Sequence, residues 1–311
     1  SLEPKHYTMS KLVTKLNKAV VILDGQFTIS GGRARSDHLS YSRFAKRYLS
    51  VFDEVTIVGR LYAHLPAHSE PVDGPGATFV PIEGFSGIID YLSKRRRIIK
   101  RLEQQIHDDT AYILRVPSIL GFEFARIMDR KRNKRYGAEV VSDPYTTFAP
   151  GSLDHPLRAV LRTLMTNQLR KTVRRAHAVA YVTQSTLQER YPCPDSTYST
   201  HYSSVELRPQ AYVCKPRLHH KEQVLRLVTI GSLAQPYKGI DVLLTATYHL
   251  RRQGIDTKLT VVGDGKYRAE LQQLSTSLGL AEYVDFLGRL PAGEAVRQVL
   301  DRSSIFVLAS K

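Results

Sequence analysis

At 311 residues, with 42% hydrophobic and 24% charged residues, the chain is long enough for two domains and too apolar to be disordered. No apolar run approaches the roughly 18 residues of a membrane-spanning helix, residues 1–12 carry no hydrophobic signal region, and Cys193 and Cys214 are too few for a disulfide scaffold. These exclusions predict a soluble, cytoplasmic protein with free thiols, while the formal net charge of +16 asks for an anionic partner or a highly charged surface.

Met9 reads as the native start, which would make residues 1–8 an appended segment. Residues 19–23 (AVVIL) form the first predicted strand, followed by a loop over 24–32 and a helix over 36–50. Strands are expected at 55–58, 78–80, 111–114, 139–142 and 178–182, with helices at 88–106, 119–132 and 156–175 between them. Short apolar strands alternating with longer helices predict parallel, doubly wound sheets. The periodicity breaks over 192–223, where Pro, Ser, Tyr and His replace it, so a boundary is placed between domains 1–207 and 208–311. A second alternation begins with the strand at 225–230.

The positive charge is clustered. Lys94, Arg95, Arg96, Arg97, Lys100 and Arg101 form one group, Arg130, Lys131, Arg132, Lys134 and Arg135 a second, and Arg170, Lys171, Arg174 and Arg175 a third. Beneath the first, Ile88, Leu92, Ile99, Leu102 and Ile106 keep helical spacing, so its cations are expected on the outer side. The same spacing assigns Leu157, Val160, Leu161, Leu164 and Leu169 to the apolar face of the 156–175 helix. With no nucleic-acid fold signature and no aromatic-basic stacking motif, a solvated or membrane-facing surface is expected and a nucleic-acid partner is not.

Three turns carry the chemistry. In open parallel sheets ligands bind beyond the carboxyl ends of the strands, where helix N-termini present backbone N–H groups to anions. In GSLAQPYKG (231–239) the strand ends at Gly231 and the next helix begins near Gly239, so Lys238 stands at the mouth as a mobile ammonium for a diphosphate; an ordinary surface lysine is the plainer alternative. Gly263-Asp264-Gly265 lets backbone approach a ligand or simply makes a tight turn, and Arg268 stands where a nicotinamide fingerprint needs a third glycine. Gly31-Gly32 offers unhindered amides to a phosphate or sugar, or else a flexible loop. A DxD carboxylate pair is absent: Asp53-Glu54 and Asp108-Asp109 are adjacent pairs in polar segments. His219-His220 falls in the boundary region, so no metal site is expected.

Taken in order, Tyr237-Lys238-Gly239, Asp241 to Leu244, Val262 to Gly265, Leu278 to Leu280, Val284-x-Phe286-x-Gly288 and Phe306 to Ser310 resemble the donor-binding domain of glycosyltransferase family 4, the retaining GT-B sugar transferases. Gly31-Gly32 resembles that family's N-terminal loop. The resemblance implies an α/β GT-B fold, two Rossmann-like doubly wound domains facing a cleft, and metal-independent transfer from a UDP- or GDP-linked sugar to a glycan or lipid-linked acceptor. It also implies polysaccharide or glycolipid synthesis, in the cytoplasm or peripherally on the inner face of the membrane.

By the same resemblance, Lys238 contacts the donor diphosphate and acts catalytically by stabilising the leaving group, within the turn Gly231, Ser232, Lys238 and Gly239. Gly31 and Gly32 face donor phosphate and acceptor, Gly263, Asp264 and Gly265 lie beside the nucleotide, and Phe286, Leu287, Gly288 and Arg289 pack against its base. Two departures stand out. Ser232 and Leu233 occupy the region of the family's usual arginine, and the glutamate pair that binds the sugar would fall beyond Lys311. The second domain is therefore expected to be incomplete, and this chain alone to be inactive. A noncatalytic sugar-nucleotide or glycan-binding module is the other reading.

Overall fold

The computed structural model describes residues 16–63, 69–131, 135–150, 152, 156–204, 211–213, 223–291 and 293–310. The expected boundary at 207/208, residues 1–8 with Met9, Arg132, Lys134, Cys214, His219 and His220 lie outside them. Contacts divide the chain into two units, residues 1–143 with 167–204 and residues 144–166 with 205–311.

The first unit is built on β1 (Lys18–Ser30), β2 (Arg33–Ser36), β3 (Glu54–Leu61), β4 (Glu70–Pro71), β5 (Ala77–Glu83), β6 (Thr110–Val116), β7 (Gly137–Val140), β8 (Ala178–Tyr181) and β9 (Tyr198–His201). Seven of these run parallel in the order β5-β3-β1-β6-β7-β8-β9, while β2 and β4 extend the far end of β1 antiparallel. The unit's helices are α1 (Lys46–Leu49), entered through a π-helical turn (Tyr41–Ala45), α2 (Gly87–Glu103), α3 (Ile119–Arg130), the part of α5 (Arg158–Arg175) from residue 167 onward, and α6 (Thr186–Arg190); α4 (Pro144–Thr147) and the start of α5 fall in the second unit. Val21, Phe27, Phe44, Ile57 and Val72 are buried together beside β1.

The second sheet contains β10 (Leu225–Ile230), β11 (Thr257–Val262), β12 (Val284–Gly288) and β13 (Ile305–Phe306), with α7 (Ile240–Arg252), α8 (Arg268–Ser277) and α9 (Glu294–Asp301) between them. All its pairings are parallel, in the order β12-β11-β10-β13. Leu227, Leu243, Leu244, Leu259 and Val261 fill its core. Strand order reverses direction at β1 in one sheet and at β10 in the other. Each unit thus has a switch point where chain leaving the strands' carboxyl ends turns opposite ways and opens a crevice.

Several expectations are corrected. The loop expected over 24–32 is mostly strand: β1 continues to Ser30 through an irregularity between Ile22 and Gln26. Gly31 and Gly32, at φ +59° and +72°, form the two-residue turn of the β1–β2 hairpin instead of leading into a helix. Two positive φ angles match the twist of a hairpin, and glycine adopts them without a Cβ penalty. The segment 192–223, taken as a break, contributes β9 as a seventh parallel strand.

The phase of α2 also differs. Ile98 and Leu102 are buried, whereas Ile88, Ile89 and Leu92 are 51%, 82% and 60% exposed. Two overlapping apolar stripes share this helix, and periodicity alone cannot say which turns inward. The anchor is Glu123 on α3, which accepts hydrogen bonds from Tyr91 and Arg95. Accordingly Lys94, Arg95 and Arg97 are not free outer cations, being paired with Asp90, Glu123 and Glu83. Of the five core positions expected for a helix over 156–175, only Leu169 is fully buried; Leu157, Val160 and Leu164 are exposed.

Candidate functional site

In the second unit the loops leaving β10, β11, β12 and β13 meet at the carboxyl edge of the sheet. β10 ends in a turn whose Pro236–Lys238 segment is a 3-10 helix, and Gly239 caps α7 with no side-chain hydrogen bond. The Lys238 stem folds back over Gly231, so that a Cβ on Gly231 would lie 3.3 Å from its Cδ and Cε. Its ammonium lies 5.0 Å from the centroid of the Tyr237 ring. Lys238 is therefore held at the mouth of the turn by its own stem.

The neighbouring loops close on the same place through their backbones. The Gly231 amide donates to Val262 O at 2.9 Å, and the Gly263 amide to Gly288 O at 2.8 Å. Gly263 has φ +143°, and a Cβ there would overlap the carbonyl oxygen of Gly231. A Cβ on Gly239 would overlap the carbonyl of Ala309, just after β13, and one on Gly265 would overlap the Leu233–Ala234 peptide. These glycines are required by contact between loops rather than by local turns alone.

Asp264 is exposed; its Oδ1 accepts from the Gly265 amide at 2.8 Å. Ser232 is exposed, and its Oγ accepts from the Ala234 amide at 3.2 Å. Phe286 packs against the core, Leu287 and Arg289 point outward, and Gly288 is buried. The structure thus gathers Gly231, Ser232, Lys238, Gly239, Gly263, Asp264, Gly265 and the 286–289 segment at one edge of one sheet. Gly31 and Gly32 belong to the other unit, exposed at a hairpin tip with nothing within 4 Å of either virtual Cβ.

Sequence reasoning weighed Arg268 only as a missing glycine. Its guanidinium donates to Phe286 O at 3.1 Å and pairs with Asp264 at 3.4 Å, bracing the turn after β11 against the end of β12. Leu233, in the region where the family carries an arginine, is 2% exposed and anchors the turn in the core. Its amide donates to Asp264 O at 3.0 Å, and its carbonyl accepts from the Tyr267 amide at 3.1 Å.

The first unit has its own polar groups near the carboxyl edge. Asp24 accepts from the amides of Ile119 at 2.6 Å and Leu120 at 3.1 Å, while Ser118 Oγ accepts from the Gly121 amide at 2.8 Å. The N-terminus of α3 is therefore already capped from within. Burial raises the Asp24 pKa against the opposing pull of Arg60 and those two amides. Farther along the edge, Glu139 of β7 accepts two hydrogen bonds from Arg47 at 2.9 and 3.0 Å, one from Tyr48 at 2.9 Å and one from Tyr202 at 3.1 Å. Arg115 lies 3.4 Å away. Burial and the adjoining carboxylate push both phenols' pKa values up, so they remain protonated donors. Among the described residues no group of three or more His, Cys, Asp or Glu side chains is placed to hold a metal ion.

Residues 225–311 match the family model described as "Glycosyl transferases group 1". Protein CapJ of Staphylococcus aureus is 26% identical over 250 residues, covering 78% of this chain and 60% of that protein. A stretch of 59 residues is 46% identical to the GDP-mannose-dependent alpha-(1-6)-phosphatidylinositol monomannoside mannosyltransferase of Mycolicibacterium smegmatis, covering 19% of this chain and 15% of that protein. The chain thus spans less than two thirds of either relative. Among solved structures, the lipopolysaccharide outer core galactosyltransferase WaaB is similar with a TM-score of 0.56 at 16% identity, over 94% of this chain and 74% of that one. At that identity the likeness is one of fold, and the fold is α/β with Rossmann-like units of the GT-B class.

Proposed function

We propose that the chain belongs to a retaining, hexosyltransferase-type glycosyltransferase. The enzyme would move a sugar from a UDP- or GDP-linked donor to a glycan or lipid-linked acceptor in polysaccharide or glycolipid biosynthesis. The observation that carries this reading is the convergence of the loops after β10, β11, β12 and β13 around the turn that carries Lys238, within the region that matches the glycosyltransferase family model. The names of two similar proteins, a GDP-mannose-dependent enzyme acting on a phosphatidylinositol mannoside and a lipopolysaccharide galactosyltransferase, support a nucleotide-sugar donor and a lipid-linked acceptor.

In this reading the diphosphate sits over the Gly231 to Gly239 turn, against the N-terminus of α7, where the Gly239 cap has no side-chain hydrogen bond, and beside Lys238. As the bond between anomeric carbon and phosphate oxygen breaks, negative charge grows on the leaving diphosphate. A preorganised ammonium and helix amides stabilise that charge more than they stabilise the ground state, with no metal called upon. The acceptor hydroxyl attacks from the face the leaving group departs from, which retains configuration. Gly263 to Gly265 flank the nucleotide, and Phe286 to Arg289 flank its base. The protein works in the cytoplasm, peripherally on the inner face of the membrane. Among the described residues no helix is long and apolar enough to cross one.

Lys238→Ala tests the reading. In an enzyme that carries the whole donor-binding domain, it is expected to weaken binding of UDP- or GDP-sugar and to slow nucleoside diphosphate release at least tenfold, about 1.4 kcal/mol. The melting temperature should stay close to that of the parent protein. Calorimetric titration and a release assay over a panel of donors measure both quantities, and unchanged values would remove Lys238 from the site. Donor binding without transfer to any acceptor would favour the binding-module reading.

A further inference from the structure

The outward face of α2 is divided along its length. Setting each residue 100° from the last, Ile88, Ile89, Leu92, Arg96 and Lys100 share an arc of about 120°. All five are exposed. The first turns of the arc are apolar and the later turns basic. Arg96 and Lys100 have no acidic partner among the described residues, unlike Lys94, Arg95 and Arg97. Ile99 on the same arc is half-buried, and Glu103 is its one exposed acid.

The surroundings add charge of the same sign. Because α2, α3 and α5 each return the chain to the start of a parallel strand, their last turns collect at the amino edge of the first sheet. Ion pairs and hydrogen bonds join them side by side: Arg95 with Glu123, Arg126 with Gln168 at 2.9 Å, and Arg175 with Asp129. The basic residues in those turns are Lys100 and Arg101, Arg130, and Arg174 and Arg175. Three clusters far apart in sequence thus become one basic border at the end of the α2 stripe.

We propose that this face of α2 docks on an anionic phospholipid surface, with Ile88, Ile89 and Leu92 entering the headgroup–acyl boundary and Arg96 and Lys100 meeting lipid phosphates. Three adjacent large apolar side chains in water are costly unless something covers them. A stripe continuing into unpaired cations matches a bilayer, whose apolar interior lies beneath a negative surface. A nucleic acid would satisfy the cations and leave the isoleucines wet. The docking deepens the membrane location proposed above and does not depend on the transfer chemistry.

Vesicle flotation of the intact protein tests it, using phosphatidylglycerol mixed with phosphatidylcholine against phosphatidylcholine alone. Binding should require the anionic lipid and fall with added salt. The triple variant Ile88→Ser, Ile89→Ser, Leu92→Ser should lose at least tenfold in bound fraction at low salt, and Arg96→Glu with Lys100→Glu a similar amount. Lys171→Glu with Arg174→Glu, on α5, should lose less, since the border adds only long-range attraction to the α2 contact. Thermal melting checks that these exposed substitutions leave the fold intact, and donor titration on the same samples reads the glycosyltransferase proposal separately. Wild-type flotation by the triple variant, equal binding to neutral vesicles, or greater loss from the α5 pair would each overturn the proposal.

Discussion

Gly263→Ala is expected to cost the second unit about 3 kcal/mol or more and to abolish donor binding with it. Two penalties coincide there. At φ +143° an L-residue is outside its allowed regions, and the added methyl would overlap the Gly231 carbonyl oxygen. The obstacle is backbone and cannot rotate away. Moving it would disturb Gly231 N–H to Val262 O on one side and Gly263 N–H to Gly288 O on the other. Gly254→Ala is the control: its φ is +80°, but nothing lies within 4 Å of the new methyl, so about 1 kcal/mol is expected from the left-handed backbone alone. Urea unfolding compares the two, and equal costs would mean that the loops are not packed as described.

Glu139→Ala is expected to destabilise the first unit by on the order of 3 kcal/mol, because it removes the carboxylate that accepts from the Arg47 guanidinium and two phenols and pairs with the Arg115 guanidinium 3.4 Å away. Arg47 is 31% exposed along its side chain and can recover water, whereas Arg115 is only 14% exposed and cannot do so fully. Glu139→Gln should fall between wild type and alanine, since it keeps an acceptor oxygen and loses the charge. A double-mutant cycle with Tyr202→Phe should show coupling. A cost under about 1 kcal/mol for alanine would mean that the network does not hold this edge together.

Much of the architecture was legible because its signals are local. The apolar run Leu225–Ile230, the glycine after it and the amphipathic α7 lie within a few turns of chain. Strand and helix periods are set by backbone geometry over such distances. The same holds for the order of the glycine turns, which marked the carboxyl edge of the second sheet before any fold was known. The GT-B class was implied by the family resemblance that this order carries. The neighbouring-strand contacts that make Gly239, Gly263 and Gly265 necessary were not legible, since each involves residues from another loop.

The remaining features depended on residues that meet only after folding. Arg47 and Glu139 are separated by 92 positions, and nothing near either one announces the other. Arg268 gained its bracing role only when the ends of β11 and β12 came together. In α2 the sequence supplied two apolar stripes, and Glu123 from a different helix selected which one faced inward. Composition and periodicity by themselves determined that this chain builds parallel α/β sheets with glycine-rich turns at a carboxyl edge, because those depend on backbone periods and turn chemistry within a few residues. Tertiary structure alone decided the phase of α2, the hairpin at Gly31-Gly32 and the gathering of three basic clusters, because each is fixed by burial and charge pairing between segments that the sequence keeps far apart.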